Sequence, residues 1–430
     1  MPDHNNKEIA LSLVEGRTVR DLFYNGLLSE LTEAGYHVTI FTEATEVTAF
    51  IEAWRAPNLT FRAFTPCTSN KKNRRYFYLR RKLARLGINS ILNAWIKLEE
   101  KRVYPPKPEY LDYFRKHKPC LFLATHAHLP AESELISAAH ACGVPTLGIV
   151  RSWDNVYKGI KSRPQKMAVW NEINKKELMD FEGYPDNDIE LVGPPQFDIY
   201  FKPQYRWDRE AMARHFNLDP QRPIITFATL GYFFPGFDET CWMDVLVGLL
   251  DRKELPGDPQ IICRLHPWSR LEHFEKYGRR PDIRLSYVNK YWPALTWYMD
   301  DKDMIEMGNM LAHSDVVITP GSTVTLEAAI FDRPTIVPIF HPYQQRRAKN
   351  YFTTWVLGKH FGRIQELNLV PIIKEQKDFK DMIIKCLEEP GFYAEQRQQL
   401  VRDYAHFTDG ASTKRIADFA LRIIENGRTT

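Results

Sequence analysis

Several chemistries are missing from this 430-residue chain. Cysteine is sparse: the six, at positions 67, 120, 142, 241, 263 and 386, are scattered and include no C-x-x-C pair. Cys120, Cys142 and Cys263 sit among apolar residues, as reduced, buried thiols do. No apolar run approaches the ~20 residues that a transmembrane helix needs. The polar opening MPDHNNKE lacks the apolar centre of a signal peptide. A reducing cytoplasm is the expected location. No G-x-G-x-x-G follows the first strand, and no P-loop, H-E-x-x-H or G-x-S-x-G occurs. Dinucleotide, ATPase, zinc-protease and hydrolase readings therefore lose support.

What is present describes a globular protein. Hydrophobic residues make up 44% and charged residues 26%, the balance of a folded chain in water. Aromatics, ten of them Trp, suit a broad binding cleft. The length predicts two to three domains. Charge is uneven. Residues 71–102 carry eleven Lys and Arg against Glu99 and Glu100, a local +9 within a whole-chain +4, so the remainder is net −5. Tyr76, Leu79, Leu83 and Leu86 form a candidate apolar stripe there. A solvated basic face is the default for such a segment, peripheral contact with an anionic membrane comes next, and nucleic acid last, for want of a binding motif.

Short apolar runs alternate with helical patterns along the chain. Ile9–Val14 reads as a strand, followed by Glu15-Gly16-Arg17 and an amphipathic helix from about 18 to 34. Further strands are expected at 37–41, 59–64, 119–125, 145–150, 166–170 and 189–193. A boundary falls near 200–222. A second series begins with a strand at 224–229, a loop at 231–238 and a helix at 239–250, then continues with strands at 260–265, 316–319 and 335–339. The pattern gives an N-terminal domain 1–202, a second domain 203–405 and a C-terminal helical segment 406–430. Such alternation is the mark of doubly wound α/β sheets, which bind ligands beyond the carboxyl ends of their strands. That rule gathers Gly16, His126, His128, Asp154, His266 and Gly321 to Thr323 around one interdomain cleft.

Each candidate has an ordinary alternative. Pro320-Gly321-Ser322-Thr323 joins a buried strand to a helix. Glycine permits close approach, and the hydroxyls stand where helix N–H groups favour phosphate; a plain helix cap fits equally. Glu327, one turn on, could reach a sugar hydroxyl. His126 and His128, two apart at a strand end, could face opposite ways. One could serve as general base; helix capping and metal binding compete, and no third ligand is apparent. His266, with Arg264 two before it, could hold a leaving phosphate or simply be ordered by Pro267. Asp154 and Asn155, after Trp153, could orient an acceptor or make a turn. Glu15 and Arg17 could contact acceptor or phosphate, or lie at the surface. The D-x-D patterns 186–188 and 301–303 are expected in polar loops, where chance explains them better than a cation site.

The segments RSWDNVYKG (151–159), RLHPW (264–268), SDVVITPGSTVTLEAAIFDRPTIVP (314–338) and DGASTKRIADF (409–419) resemble bacterial GT-B glycosyltransferases. The resemblance is to the branch that also holds CDP-glycerol glycerophosphotransferases, with sugar-nucleotide 2-epimerases as more distant kin. It implies α/β GT-B architecture, two facing Rossmann-like domains with an interdomain cleft, and a C-terminal helix crossing back to the first domain. The acceptor would bind the first domain at Glu15, Gly16, Arg17, Trp153 and Asn155. The donor would bind the second, with its phosphates at Arg264, His266, Gly321, Ser322 and Thr323 and its ribose at Glu327. His126 or His128 would be the base, with Glu15 or Asp154 as the next candidates, and no metal or cofactor would be needed. The implied activity is transfer from a nucleotide-sugar donor to a surface-polysaccharide or lipid-linked glycan. Relatives that move glycerol phosphate usually show an Asp-Tyr-Ser-Ser type turn where this chain has residues 320–323, which favours a sugar. Alternatives are CDP-glycerol-type transfer, a non-hydrolysing UDP-N-acetylhexosamine 2-epimerase, and a binding module without activity.

Overall fold

Ile9 to Leu13 are all sealed from water, and a strand buried on both faces belongs inside a parallel sheet. The computed structural model describes residues 7–68, 71–231, 238–288, 292–343, 352, 358 and 361–429. The chain divides into two compact units. The first comprises Met1–Phe201, Tyr291–Asp300 and His406–Thr430; the second comprises Lys202–Lys290 and Asp301–Ala405. A second domain running unbroken from 203 to 405 was expected, but residues 291–300 group with the first unit. The opening residues 1–6, and 232–237 of the expected loop, lie outside the described residues.

The first unit holds β1 (Glu8–Leu13), β2 (His37–Thr42), β3 (Leu59–Ala63), β4 (Leu121–Ala124), β5 (Thr146–Ile149), β6 (Lys166–Val169) and β7 (Ile189–Leu191). They form one sheet in the order β3-β2-β1-β4-β5-β6-β7, with every pairing parallel. The C-terminal helix Ser412–Thr429 adds Ile416, Phe419, Ala420 and Ile423 to the core beneath β1 and β4. Its first N–H groups, on Ser412 and Thr413, donate to the Asp198 carboxylate at 3.0 and 2.6 Å.

The second unit holds β8 (Ile224–Ala228), β9 (Gln260–Arg264), β10 (Ile283–Ser286), β11 (Val316–Ile318), β12 (Thr335–Pro338) and β13 (Ile372–Ile373). Their order is β10-β9-β8-β11-β12-β13, again parallel throughout. Met212, Ile224, Ile262, Met310, Val317 and Val324 share its core.

Two local expectations change. The single helix from 18 to 34 is broken into Gly16–Thr18, a wider turn Val19–Phe23, and Leu27–Glu33. Gly26 causes the break, since its φ of 101° lies in the left-handed region that ends a helix. The basic segment becomes two helices, Lys71–Arg85 and Asn89–Arg102, but its buried line is Phe77, Arg80 and Ala84. Leu79 and Leu86 of the expected stripe are 39% and 60% exposed. Charge explains the shift: Arg80 is buried because Glu99 meets it at 2.7 Å and Glu182 at 3.6 Å, and a paired guanidinium can occupy a core position.

Candidate active site

The strand order of the first sheet reverses between β1 and β4, so the loops leaving these strands part and leave a crevice. Beyond β1 come Glu15, Gly16 and Arg17. The Gly16 N–H donates to the Thr296 carbonyl at 2.8 Å. A Cβ on this glycine would lie 2.4 Å from the Tyr298 Cα, so the residue is small in order to let segment 292–298 pass. Arg17 Nε reaches Glu15 Oε2 at 2.7 Å, and its guanidinium lies 4.9 Å from the centre of the Trp297 ring.

Beyond β4 the chain leaves the extended form at Thr125. Strand alternation therefore ends before the histidines, and the His126 and His128 rings lie together, 5.0 Å apart. His126 is fully buried, with Nε2 3.2 Å from Glu15 Oε1. Burial disfavours its charged form and, against the pull of Glu15, lowers its pKa to about 4. Burial also works against an ionised Glu15, but the fields of His126 and Arg17 outweigh it and hold this carboxyl below its usual range. A carboxylate beside Nε2 favours the tautomer protonated there, leaving the Nδ1 lone pair as the basic position. Among the described residues neither Nδ1 nor Nε2 makes a well-aligned hydrogen bond, so the Glu15 contact at Nε2 is electrostatic. Burial, then the charges of His126 and Arg17, keep His128 well below the normal histidine value.

Three groups that the sequence reading did not single out brace this turn. Both oxygens of buried Glu132 accept the His126 N–H, at 3.0 and 2.9 Å. Ser12 Oγ donates to Glu132 and accepts the Thr125 N–H at 3.2 Å. Arg151, at the end of β5, pairs with Asp21 and donates to Thr18 Oγ1 at 3.0 Å. The one visible sign was Ser12, a hydroxyl alone in an apolar strand. Trp153, Asp154 and Asn155 form the next turn. Asp154 pairs with Lys158, the Asn155 side chain accepts the Arg151 N–H at 3.1 Å, and the Trp153 carbonyl accepts from Asn174 at 2.7 Å. These contacts build a turn; none of them joins the His126–Glu15 pair.

In the second sheet the order reverses between β8 and β11. The exit of β8 is pinned by Glu239, whose Oε2 accepts the Leu230 and Gly231 N–H groups at 2.8 and 3.2 Å. Its Oε1 accepts from Ser269 at 2.8 Å. Glu239, like Glu132, escaped the sequence reading, because an acid at a helix start reads as ordinary dipole chemistry. The His266 N–H donates to Thr229 Oγ1 at 2.7 Å. Its ring lies against Gly231, where a Cβ would sit 2.3 Å from Nδ1. That Nδ1 accepts the Trp268 N–H at 3.1 Å, so in the neutral ring the proton is on Nε2, a donor. Arg264 turns elsewhere, to Ser286 at 2.7 Å and Glu306 at 3.3 Å.

After β11, Gly321 adopts φ 90°, and its N–H donates to the Thr319 carbonyl at 2.8 Å. Ser322 Oγ lies 2.9 Å from Thr319 Oγ1 and accepts the Val324 N–H at 3.2 Å, so Ser322 caps the helix Val324–Ile330. Thr323 makes no side-chain cap bond, and Glu327 is buried in the first turn. The D-x-D acids are engaged in part: Asp186 pairs with Lys175 at 2.8 Å and Asp188 with Lys166 at 2.6 Å. Asp301 and Asp303, expected in a loop, stand in the first turn of the helix Asp301–Ala312, where acids suit the helix dipole. No group of three or more His, Cys, Asp or Glu able to hold a metal occurs among the described residues.

Comparison with solved structures identifies the fold as GT-B. The wall teichoic acid polymerase TagF matches with TM-score 0.58 and 12% identity over 100% of this chain and 92% of that one. The Neisseria meningitidis UDP-GlcNAc 2-epimerase bound to UDP-GlcNAc gives 0.55 and 12% over 96% and 100%. S. aureus MnaA with UDP gives 0.56 and 12% over 95% and 94%. At such identities these likenesses show the fold alone. No curated protein matches by sequence. A family model does: CDP-glycerol:poly(glycerophosphate) glycerophosphotransferase fits residues 167–422, more than half of the chain, which therefore belongs to that family.

Proposed function

We propose that this transferase moves a group from a nucleotide-diphosphate donor onto a hydroxyl of a growing cell-envelope glycan or lipid-linked glycan. In this reading His126 is the general base and no metal takes part. One observation carries it: a neutral, buried imidazole at the sheet's switch point, with the Glu15 carboxylate 3.2 Å from its Nε2. Nδ1 takes the proton of the acceptor hydroxyl as that oxygen attacks, and Glu15 stabilises the imidazolium that forms. Because the ring is buried, acceptor binding has to open the side on which Nδ1 lies. The leaving nucleotide phosphate takes its negative charge toward the His266 Nε2–H and the Gly321–Thr323 turn, while Glu327 holds the ribose.

Two donors suit these groups. With CDP-glycerol, attack falls on the glycerol-bearing phosphorus and CMP leaves; family membership over residues 167–422 puts this first. With a sugar nucleotide, attack falls on the anomeric carbon, and the 320–323 turn favours this second reading. Thermal shift against a panel of CDP-alditols and nucleotide sugars tests the choice, since a donor at 100 times its Kd stabilises by about 2.7 kcal/mol. His266→Ala should remove one hydrogen bond to a charged group, weakening donor binding by about 1.5–3 kcal/mol. Unchanged donor affinity in calorimetry would move the phosphate site elsewhere.

The acceptor side includes a membrane surface in this reading. Tyr78, Leu79, Leu86, Ile91 and Leu98 are all exposed on the basic hairpin, beside exposed Arg75, Lys82 and Lys97. Apolar side chains among cations suit an interface with anionic lipid. No described helix is long and apolar enough to cross a membrane. Vesicles containing anionic lipid should bind the protein at low salt and release much of it at high salt; equal binding to neutral vesicles would refute the electrostatic part.

A further inference from the structure

We infer that Glu132 is a positioning residue: its carboxylate fixes the stretch of backbone that presents His126, an inference resting on His126 being the base. Glu132 ends the short turn Pro130–Glu132 and is fully buried. It reaches back six residues to accept the His126 N–H with both oxygens, at 3.0 and 2.9 Å. Ser12 joins the two sides of the switch point, donating to Glu132 from β1 and accepting the Thr125 N–H at 3.2 Å. Two successive peptide N–H groups at the exit of β4 are thus secured by one side-chain pair. Chain leaving a sheet must find such partners or bear the cost of burying them unpaired.

The surroundings distinguish positioning from proton transfer. No salt bridge reaches Glu132 among the described residues; Arg151 acts on it only through space. Burial raises its pKa to about 7, against the hydrogen bonds from Ser12, His126 and Thr125. Protonation leaves the network whole. A proton on Oε1 points to Ser12 Oγ, the Ser12 hydrogen turns to the Leu123 carbonyl 3.4 Å away, and Oε2 still accepts from His126. A glutamine reproduces that protonated arrangement, with its amide nitrogen toward Ser12. A leucine fills the space and lets the Ser12 hydroxyl turn to the Leu123 carbonyl, but leaves the His126 N–H without its partner.

The test compares Glu132→Gln, Glu132→Leu and Ser12→Ala in the full chain, with turnover of the donor found in the panel as one readout. The second is the ring signals of His126 in protein labelled with 13C-histidine, identified by their loss in His126→Asn. Glu132→Gln should keep kcat within about threefold. Glu132→Leu should lower kcat about 100-fold, the effect of a misplacement of around 1 Å, with donor KM unchanged. The His126 signals should shift in Glu132→Leu and, less, in Ser12→Ala, while those of His266 stay put. A glutamine variant as inactive as the leucine one, with His126 signals unmoved, would show that Glu132 handles a proton and overturn the inference. Unmoved signals and full activity in both Glu132→Leu and Ser12→Ala would overturn it too. If Glu132→Leu does not fold, Ser12→Ala and Glu132→Gln decide by the same readouts. Full activity of His126→Asn would remove the base assignment alone, and the ring signals would still report whether Glu132 fixes His126.

Discussion

His126→Asn is expected to lower kcat by about 10²–10⁴-fold, the usual contribution of a general base, with donor affinity unchanged. Asparagine retains the backbone N–H that Glu132 holds, so the loss should come from the imidazole. His128→Asn should cost far less, since Glu15 Oε1 lies 3.2 Å from the ring of His126. The pH profile carries a second signature. An ordinary histidine base is protonated below about 6.5, whereas burial lowers His126 to about 4. The unprotonated form therefore persists well into acid, and kcat should stay level from pH 8 to about 5.5. A limb centred near 6.5, or a large loss in His128→Asn with none in His126→Asn, would move the base to another group.

Asp21→Ala should destabilise the first unit by about 3–5 kcal/mol, because it leaves a buried cation without its anion. The Arg151 side chain is 1% exposed and pairs with Asp21; it also donates to the Thr18 hydroxyl. At 2–4 °C per kcal/mol for a unit of this size, the midpoint should fall by roughly 10 °C in circular dichroism or calorimetry. Burial opposes an ionised Asp21, but Arg20 and Arg151 overcome it and lower its pKa. The sign follows: this stabilisation is complete above the unfolded value near 3.8 and is lost as pH falls through the lower folded value. The loss should therefore be full at neutral pH. Asp21→Leu combined with Arg151→Met removes both charges and should recover much of it. A single variant within about 3 °C of the parent would mean that Arg151 has found another partner.

Sequence made the sheets readable where strands are apolar runs. β1, β4, β5, β8, β9, β11 and β12 are buried on both faces, and continuous hydrophobicity is what such strands require. β10 was missed because Arg284 interrupts it, its guanidinium leaving the strand to bond the Phe216 and Asn217 carbonyls. β13 has only two residues, too few for any period. The basic hairpin misled for a related reason: Arg80 occupies a core position, and no apolar pattern announces a buried charge. The candidate site was legible only as a placement at the strand ends, where His126, His266 and the Gly321 turn follow apolar runs. It was illegible where carboxylates act over distance in sequence. Ser12 and Glu132 are separated by more than a hundred residues and meet only because β1 and β4 are neighbours in the sheet.

Acceptor-dependent release of nucleotide separates a transferase with a His126 base from its alternatives. CDP-glycerol and the sugar nucleotides that stabilise the protein would each be incubated with and without a glycan acceptor. CMP from CDP-glycerol, or nucleoside diphosphate from a sugar nucleotide, should appear only with acceptor and be lost in His126→Asn. Release of a 2-epimer from donor alone, or tight donor binding with no turnover under any pairing, would overturn the assignment of a transferase with a His126 base.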